Sequence, residues 1–170
     1  MLARGLLVPG SLNIPSDPFE RDIFWMRRAL ERAAEAGRAG EVPIGAVLVA
    51  GTELLAEAGN TRETAADPCG HAEINALRAA GQARGRGRLD GTTIYVTLEP
   101  CAMCAGAMVL ARIERCVYAA ADPKGGFLGT LGDLSAHPGL NHRFSVEKGL
   151  LEAESAEQLR AFFRARRSKG

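Results

Sequence analysis

The chain has 170 residues and a mass of 18.0 kDa, which corresponds to one domain large enough to bury a hydrophobic core. Hydrophobic residues make up 46% of the chain and charged residues 24%, so a disordered protein, a collagen-like fibre and a disulfide-dense miniprotein are excluded. The net charge of +1 excludes an overall attraction to nucleic acid, and any such affinity depends on where the charges lie.

The first predicted helix begins at Asp17 and Pro18. Aspartate is a favoured N-cap residue and proline is favoured at the first helical position. Apolar residues three and four positions apart then continue to Gly37 or Gly40, which indicates one buried helix face. Residues 1–16 hold two prolines and two glycines without helical periodicity, and we predict that they form a flexible extension.

The remainder, within a predicted single domain of residues 17–170, alternates strands with helices. Predicted strands occupy residues 42–50, 52–58, 92–98, 114–120 and 144–146. Predicted helices occupy residues 71–83, 101–112 and 153–167. The first two strands form a hairpin, and a polar loop over residues 60–70 follows them. This alternation predicts a central sheet that is covered by helices on both faces.

Two short motifs carry the chemistry, His71-Ala72-Glu73 and Pro100-Cys101-Ala-Met-Cys104. Zinc prefers nitrogen and thiolate ligands, and a catalytic zinc site keeps one of four positions open for water. One histidine and two cysteines supply three ligands. Both motifs begin predicted helices, whose positive ends favour the thiolate form. We expect the two sulfur atoms to share a helix face, because residues three apart are neighbours there.

Glu73 is not needed as a ligand, and a carboxylate beside an activated water can carry protons. Residues two apart on a helix point in directions about 200° apart. His71 and Glu73 therefore address one metal only if the pocket lies beyond the end of the helix.

Several other readings of these residues stay open. Cys69, two residues before His71, could complete a closed structural Cys3His site, and the C-x-x-C motif alone also fits a redox pair. Glu99 is a competing acid, for which we favour a supporting or capping role. His137 and His142 could suggest a second metal site, although no acid or cysteine accompanies them at a ligand spacing.

Longer segments extend the motifs. They read EVPIGAVLV (41–49), HAEINAL (71–77), YVTLEPCAMCAGAM (95–108), HPGLNHR (137–143) and FFRARR (162–167). Over residues 23–167 the chain resembles the bacterial tRNA adenosine deaminases of the cytidine deaminase-like superfamily. The H-x-E…P-C-x-x-C pattern is the general signature of zinc deaminases that act on nucleobases.

The resemblance implies a three-layer α/β/α cytidine deaminase-like fold with a central mixed sheet of about five strands. It also implies hydrolysis of adenosine to inosine at the wobble position of a tRNA anticodon, normally of an arginine tRNA, by a homodimer. It implies one Zn²⁺ per subunit, held by His71, Cys101 and Cys104 and activating a water, with Glu73 as the catalytic proton carrier. Substrate contacts are implied for Asn60, Val42, Pro43, Ala72, Asp122, Lys124, Phe163, Arg166 and Arg167.

Two competing functions are retained. A deaminase of free cytosine, cytidine or guanine would share the metal site but would not need a basic C-terminal helix. A non-catalytic, zinc-stabilised RNA-binding subunit would have no use for Glu73. Arg78–Arg88 and Arg160–Gly170 are basic stretches without acids, which fit either an RNA surface or solvated helix ends. No apolar segment approaches the about 18 residues of a membrane span, and we expect a cytoplasmic protein whose cysteines stay reduced.

Overall fold

A computed structural model describes residues 12–168, and the first eleven residues of the predicted extension lie outside that range. The four helices are α1 (Pro18–Arg38), α2 (Ala72–Arg84), α3 (Ala102–Ala111) and α4 (Glu152–Arg167). The five strands are β1 (Gly45–Ala50), β2 (Glu53–Gly59), β3 (Thr93–Leu98), β4 (Arg115–Ala120) and β5 (Ser145–Lys148). Leu12 and Ile14, in the last part of the predicted extension, pack against the cluster beneath α1.

The strands form one mixed sheet in the order β2-β1-β3-β4-β5. β1 is antiparallel to β2 and β3, whereas β3, β4 and β5 are parallel to one another. The parallel pair β3–β4 is joined through α3, as a parallel connection requires a crossover. The fold class implied by the resemblance is confirmed, with five strands and four helices.

Side chains alternate between the two faces of the sheet, as the pleat of a strand demands. Leu48, Ile94 and Tyr118 face one layer, in which they pack with α2 and α3. Val47, Tyr95 and Val117 face the other layer, in which the cluster is completed by residues of α1. The predicted sheet covered on both faces is therefore confirmed.

Strand β1 is shorter than predicted, because it begins at Gly45 and not at Val42. Pro43 has no N–H to offer the sheet, and the Ile44 N–H donates instead to the Val42 carbonyl oxygen at 2.8 Å. Gly45 lies against α1 so closely that a Cβ atom there would be 2.0 Å from the Ala29 carbonyl oxygen. Residues 42–44 therefore form an irregular segment at the end of the sheet.

The last strand is displaced toward the C-terminus relative to the prediction, since it covers Ser145–Lys148 and not residues 144–146. Phe144 precedes it and is buried in the core, with its N–H bonded to the Ser135 carbonyl oxygen at 3.1 Å. The remaining predicted elements are found with boundaries that differ by one or two residues. None of the helices within residues 12–168 has the length and apolar character that crossing a membrane requires.

Candidate active site

Three potential ligand side chains meet where α2 and α3 begin. His71 is the N-cap of α2 and Cys101 is the N-cap of α3, and both have extended backbones. His71 Nδ1 lies 3.7 Å from Cys101 Sγ and 3.5 Å from Cys104 Sγ. One ligand atom from each of the three residues lies within 4.8 Å of the others. The sequence therefore identified a group of side chains that the fold does bring together.

The reason for this convergence differs from the prediction in one respect. Cys101 precedes the first helical residue of α3, so the two cysteines are not on one face of a regular helix. His71 likewise lies outside α2, whereas Glu73 is in its first turn. The separation of about 200° expected for two such residues within a helix does not apply, and both side chains can reach one point beyond the helix end.

The donor set suits a divalent metal ion that prefers nitrogen and sulfur. Hydrogen bonds with the Cys104 thiol and with His71 lower the pKa of Cys101 to about 4, against the opposing effect of burial. A thiolate is the form in which cysteine binds metal. Three ligands leave one tetrahedral position open, as catalytic zinc sites do. The residues present therefore fit a catalytic metal site.

Glu73 lies beside these ligands in the first turn of α2 and is only 4% exposed. Burial raises the pKa of its carboxyl group to about 7, because removal from water disfavours the charged form. Glu73 can thus hold or release a proton near neutral pH, which is what a general acid–base group needs.

Cys69 does not join the ligand group. Its side chain is exposed, while the three grouped residues are half-buried or buried. The backbone N–H of Cys69 donates to Asp67 Oδ1 at 2.8 Å, which fixes the loop before His71. The geometry therefore favours an open site with three ligands over a closed Cys3His site.

Asn60 links the end of the β1–β2 hairpin to the start of α2. Its backbone N–H donates to the Ile44 carbonyl oxygen at 3.1 Å, and its Oδ1 accepts from the Ala72 N–H at 2.9 Å. Val42 and Pro43 immediately precede Ile44. The hydrogen bonds of Asn60 thus connect the segment that contains Val42 and Pro43 with the start of α2, next to His71.

Sequence reasoning missed two residues that hold this side of the site. Glu41 is buried and its Oε1 accepts the backbone N–H groups of Glu63 at 3.0 Å and Thr64 at 2.7 Å. Asn75 Nδ2 donates to the Gly59 carbonyl oxygen and to Thr61 Oγ1, both at 3.0 Å. EVP and HAEIN contain these residues, but nothing in the sequence indicates which loop each one would bind.

The loop over residues 122–130 forms the opposite side of the site. Glu99, whose supporting role we favoured, accepts hydrogen bonds from the backbone of this loop. Asp122 Oδ1 accepts the Lys124 N–H at 2.9 Å, so the predicted substrate residue Asp122 also shapes its own turn. Glu99 thus holds the loop that contains the two predicted contact residues.

The end of α4 and the loop share a groove of about 730 Å³. Its lining includes Lys124, Phe163, Arg166 and Arg167. Phe163 is 46% exposed, whereas Phe162 is half-buried. The Arg166 guanidinium lies over the Phe162 ring, 5.5 Å from the ring centre. The four predicted residues thus lie together, and of the two neighbouring phenylalanines Phe163 is the one presented to solvent.

The two remaining histidines do not form a second metal group. His142 Nε2 lies 2.6 Å from the Ile113 carbonyl oxygen, and His137 Nδ1 accepts the Gly139 N–H at 3.1 Å. Within residues 12–168, the single ligand group of three or more such residues is the one at His71. These contacts agree with a structural use of both histidines.

Comparison with known proteins identifies the family. The MafB19-like deaminase family matches residues 20–167. A tRNA-specific adenosine deaminase of Bacillus subtilis (strain 168) is 49% identical over 149 residues, which cover 88% of this chain and 92% of the relative. The chain belongs to the tRNA-specific adenosine deaminase family. The expected resemblance is confirmed.

Solved structures agree with this membership of the family. A structure from a study of A-to-I editing by tRNA:A34 deaminases at the wobble position of transfer RNA has a TM-score of 0.78 and 46% identity, and the match covers 80% of this chain and 99% of that chain. A guanine deaminase from Bacillus subtilis has a TM-score of 0.56 and 39% identity, over 58% of this chain and 63% of that chain. The family likeness thus extends over nearly the whole domain, and the guanine deaminase shares a smaller part of it.

Proposed function

We propose that this chain hydrolyses adenosine to inosine at the wobble position of a tRNA anticodon, with an arginine tRNA as the expected substrate. The observation that carries the proposal is the position of buried Glu73 beside the ligand group of His71, Cys101 and Cys104. A structural metal site would have no use for an acid at that place. The deaminase family of the chain supplies the reaction type.

Zn²⁺ is the metal that we propose for the site. Two thiolates and one imidazole form a soft, tetrahedral donor set, which favours zinc over magnesium or calcium. Zinc bound there would lower the pKa of water and so provide the nucleophile at neutral pH. Every other part of the reaction is assigned to side chains of the protein.

Glu73 moves the protons of the reaction. It takes one proton from the attacking water and gives it to N1 of adenine while the water oxygen bonds to C6. It then transfers the proton of the new C6 hydroxyl to the amino group. The C6–N bond breaks, ammonia leaves, and the C6 oxygen remains as the carbonyl of inosine.

The groove at the end of α4 is proposed to bind the anticodon loop. RNA loops are recognised through phosphates and through unstacked bases that lie on aromatic or arginine side chains. Arg166 and Arg167 supply positive charge and Phe163 supplies an exposed ring. Because the target adenosine is already in a single-stranded loop, turning it into the site costs little.

We further propose that the active form is a homodimer that associates through α2 and α3. An apolar groove of about 870 Å³ lies between these helices, with Leu77, Ala107 and Leu110 in its lining. Leu110 is 80% exposed in the single chain. An exposed apolar surface of this kind is typical of a protein interface. Since the proposed substrate is tRNA, we place the activity in the cytoplasm.

The likeness to a guanine deaminase makes a free nucleobase or nucleoside the second candidate substrate. Purified protein is offered an anticodon stem-loop of arginine tRNA with adenosine at the wobble position, and in parallel free adenosine, cytidine, cytosine and guanine. We expect inosine in the stem-loop only, and none with Glu73→Ala at unchanged metal content. Turnover of a free base or nucleoside would support the second candidate. Stem-loop binding without any product would favour a non-catalytic RNA-binding subunit.

A further inference from the structure

Glu99 is 2% exposed, and its carboxylate is surrounded by hydrogen-bond donors from one loop. Oε2 accepts the Asp122 N–H at 3.0 Å, and Oε1 accepts the N–H groups of Leu128 and Thr130, each at 3.1 Å. The Thr130 hydroxyl donates to Oε2 as well. A carboxylate has about four acceptor positions. The loop over residues 122–130 thus uses the acceptor capacity of this side chain.

Glu99 is also attached to the metal-ligand segment through the backbone. Its N–H donates to the Ala120 carbonyl oxygen at 2.8 Å, and the Phe127 N–H donates to the Pro100 carbonyl oxygen at 2.9 Å. The residue after Pro100 is the proposed ligand Cys101, whose backbone pairs with that of Gly126 in an antiparallel β-bridge. One residue, Pro100, therefore separates the anchor of the loop from a ligand of the proposed metal.

Gly126 lies where the loop passes over the Glu99 carboxylate. A Cβ atom at Gly126 would be 2.2 Å from Glu99 Oε2 and 2.3 Å from its carboxyl carbon. Such distances are far below van der Waals contact, so a larger residue must displace the loop or the carboxylate. The absence of a side chain at Gly126 thus allows the loop to lie close enough to Glu99 for its hydrogen bonds with the carboxylate.

We propose that Glu99 is a positioning residue, which holds the loop over residues 122–130 in one arrangement relative to Cys101 and thereby presents Asp122 and Lys124 to the RNA. This inference rests on the proposed function for its substrate. Lys124 lines the same groove as Phe163, Arg166 and Arg167, so the position of the loop determines where Lys124 lies relative to these three side chains.

The bonding of Glu99 argues against a second proton carrier. A general acid–base group needs an oxygen that can reach the substrate or the attacking water. Both oxygens of Glu99 already accept hydrogen bonds from the loop. Loss of Glu99 should therefore weaken substrate binding and leave the chemical step to Glu73.

The test compares Glu99→Gln with the unaltered protein. The amide keeps the size of the side chain but replaces one acceptor oxygen with a donor that faces N–H groups. We expect the KM for the stem-loop to rise roughly tenfold while kcat changes less than about threefold, because the lost interaction concerns binding. Metal content should remain one ion per chain. Amide hydrogen exchange at Asp122, Leu128 and Thr130 should become faster.

Asp22→Asn is the matched control, because Asp22 is a hydrogen-bonded carboxylate of α1 that lies at the opposite end of β4. Its partner Arg115 begins β4, whereas Asp122 follows the end of that strand. The separation is roughly 20 Å along the strand. The control should leave both kinetic constants unchanged, and any faster amide exchange should be spread over the domain and not confined to the loop, because Asp22 contributes only to global stability.

Gly126→Ala tests the same contact from the loop side, and it decides the matter if Glu99→Gln does not fold. It should raise KM and speed amide exchange in the same way. The double variant should be no worse than the more affected single variant, because both changes break one contact.

Three outcomes would overturn the inference. The first is an unchanged KM in both variants, and the second is a fall in kcat at constant KM. The third is loss of the metal from Glu99→Gln, which would mean that Glu99 supports Cys101 and not the loop. If the unaltered protein edits no stem-loop, the proposed function fails. The exchange measurement then still decides whether Glu99 anchors the loop, since it does not depend on turnover.

Discussion

Asn60 caps helix α2 from another segment of the chain, through the 2.9 Å hydrogen bond between its Oδ1 and the Ala72 N–H. The first N–H groups of a helix need such acceptors, which the N-cap side chain usually supplies. The N-cap here is His71, whose side chain makes no capping bond and instead faces the sulfur atoms of the site. Asn60 thus takes over the capping that His71, a proposed metal ligand, does not perform.

Two substitutions of Asn60 should separate stability from activity. Asn60→Ala removes the cap and should lower the free energy of unfolding by about 1 kcal/mol. Asn60→Asp keeps the acceptor and the stability, but it replaces the amide donor with negative charge and should reduce kcat/KM by about 100-fold. Thermal unfolding and stem-loop kinetics measure the two effects. Equal activity of Asn60→Asp and the unaltered protein would show that the residue is structural only.

Metal removal should abolish activity and also destabilise the domain. His71, Cys101 and Cys104 connect the starts of two helices, so a bound ion stabilises the folded state over the unfolded one. Chelation should lower Tm and stop inosine formation, and Zn²⁺ should restore both. Cys69→Ser should keep one metal ion per chain, because Cys69 is exposed and outside the ligand group. Metal loss from Cys69→Ser would support the closed Cys3His site.

Arg167→Ala should weaken stem-loop binding through the loss of one phosphate interaction. The affinity should fall several-fold at low salt, and the slope of log Kd against log salt should decrease by about 1. Binding measured by fluorescence anisotropy over a salt series gives both values. Arg27→Ala is the control, because Arg27 lies on α1 and pairs with Glu154 at 3.3 Å. If both variants weaken stem-loop binding equally, the RNA is attracted by general positive charge and is not bound in a defined groove.

Leu110→Arg should separate the proposed dimer. A positive charge in an apolar interface is costly because it is removed from water, and the groove offers no acid to pair with it, since its charged lining residues are Arg78, Arg86 and Arg88. Sedimentation velocity should show a shift from dimer to monomer, with metal content unchanged. Phe19→Arg alters another exposed apolar residue, at the start of α1, and should leave the dimer intact. A chain that sediments as a monomer before any substitution contradicts the proposal.

Acid should destabilise the domain through Asp22. Burial opposes the ionised form of its carboxyl group, but hydrogen bonds from Arg115 and Tyr95 outweigh that effect and hold its pKa below the usual 3.8. A lowered folded-state pKa means that the unfolded state binds more protons in acid, so this stability is present above pH 3.8 and is lost as the pH falls through the folded-state pKa. Asp22→Asn should lower the free energy of unfolding by about 2 kcal/mol at pH 7. It should also flatten the dependence on pH between 5 and about 2, measured by urea unfolding.

The sequence by itself determined most of the helices and strands, and it predicted which residue types make up the proposed site. The N-cap at Asp17 and the period of apolar residues predict α1, and short, mainly apolar runs predict β1, β3 and β4 as buried strands. His71, Glu73, Cys101 and Cys104 were identified because few residue types bind zinc or carry protons. These features depend on residues that are close along the chain.

Only the tertiary structure decided which distant groups meet. Pro43 and the contact of Gly45 with α1 shorten β1, and the starts of α2 and α3 place His71 and Cys101 outside their helices. The sequence shows that Glu41 and Glu99 are acids, but it does not show which loop each one holds, because that depends on where each carboxylate is buried. A buried carboxylate must find donors, and which backbone N–H groups lie within reach depends on how separate segments of the chain pack.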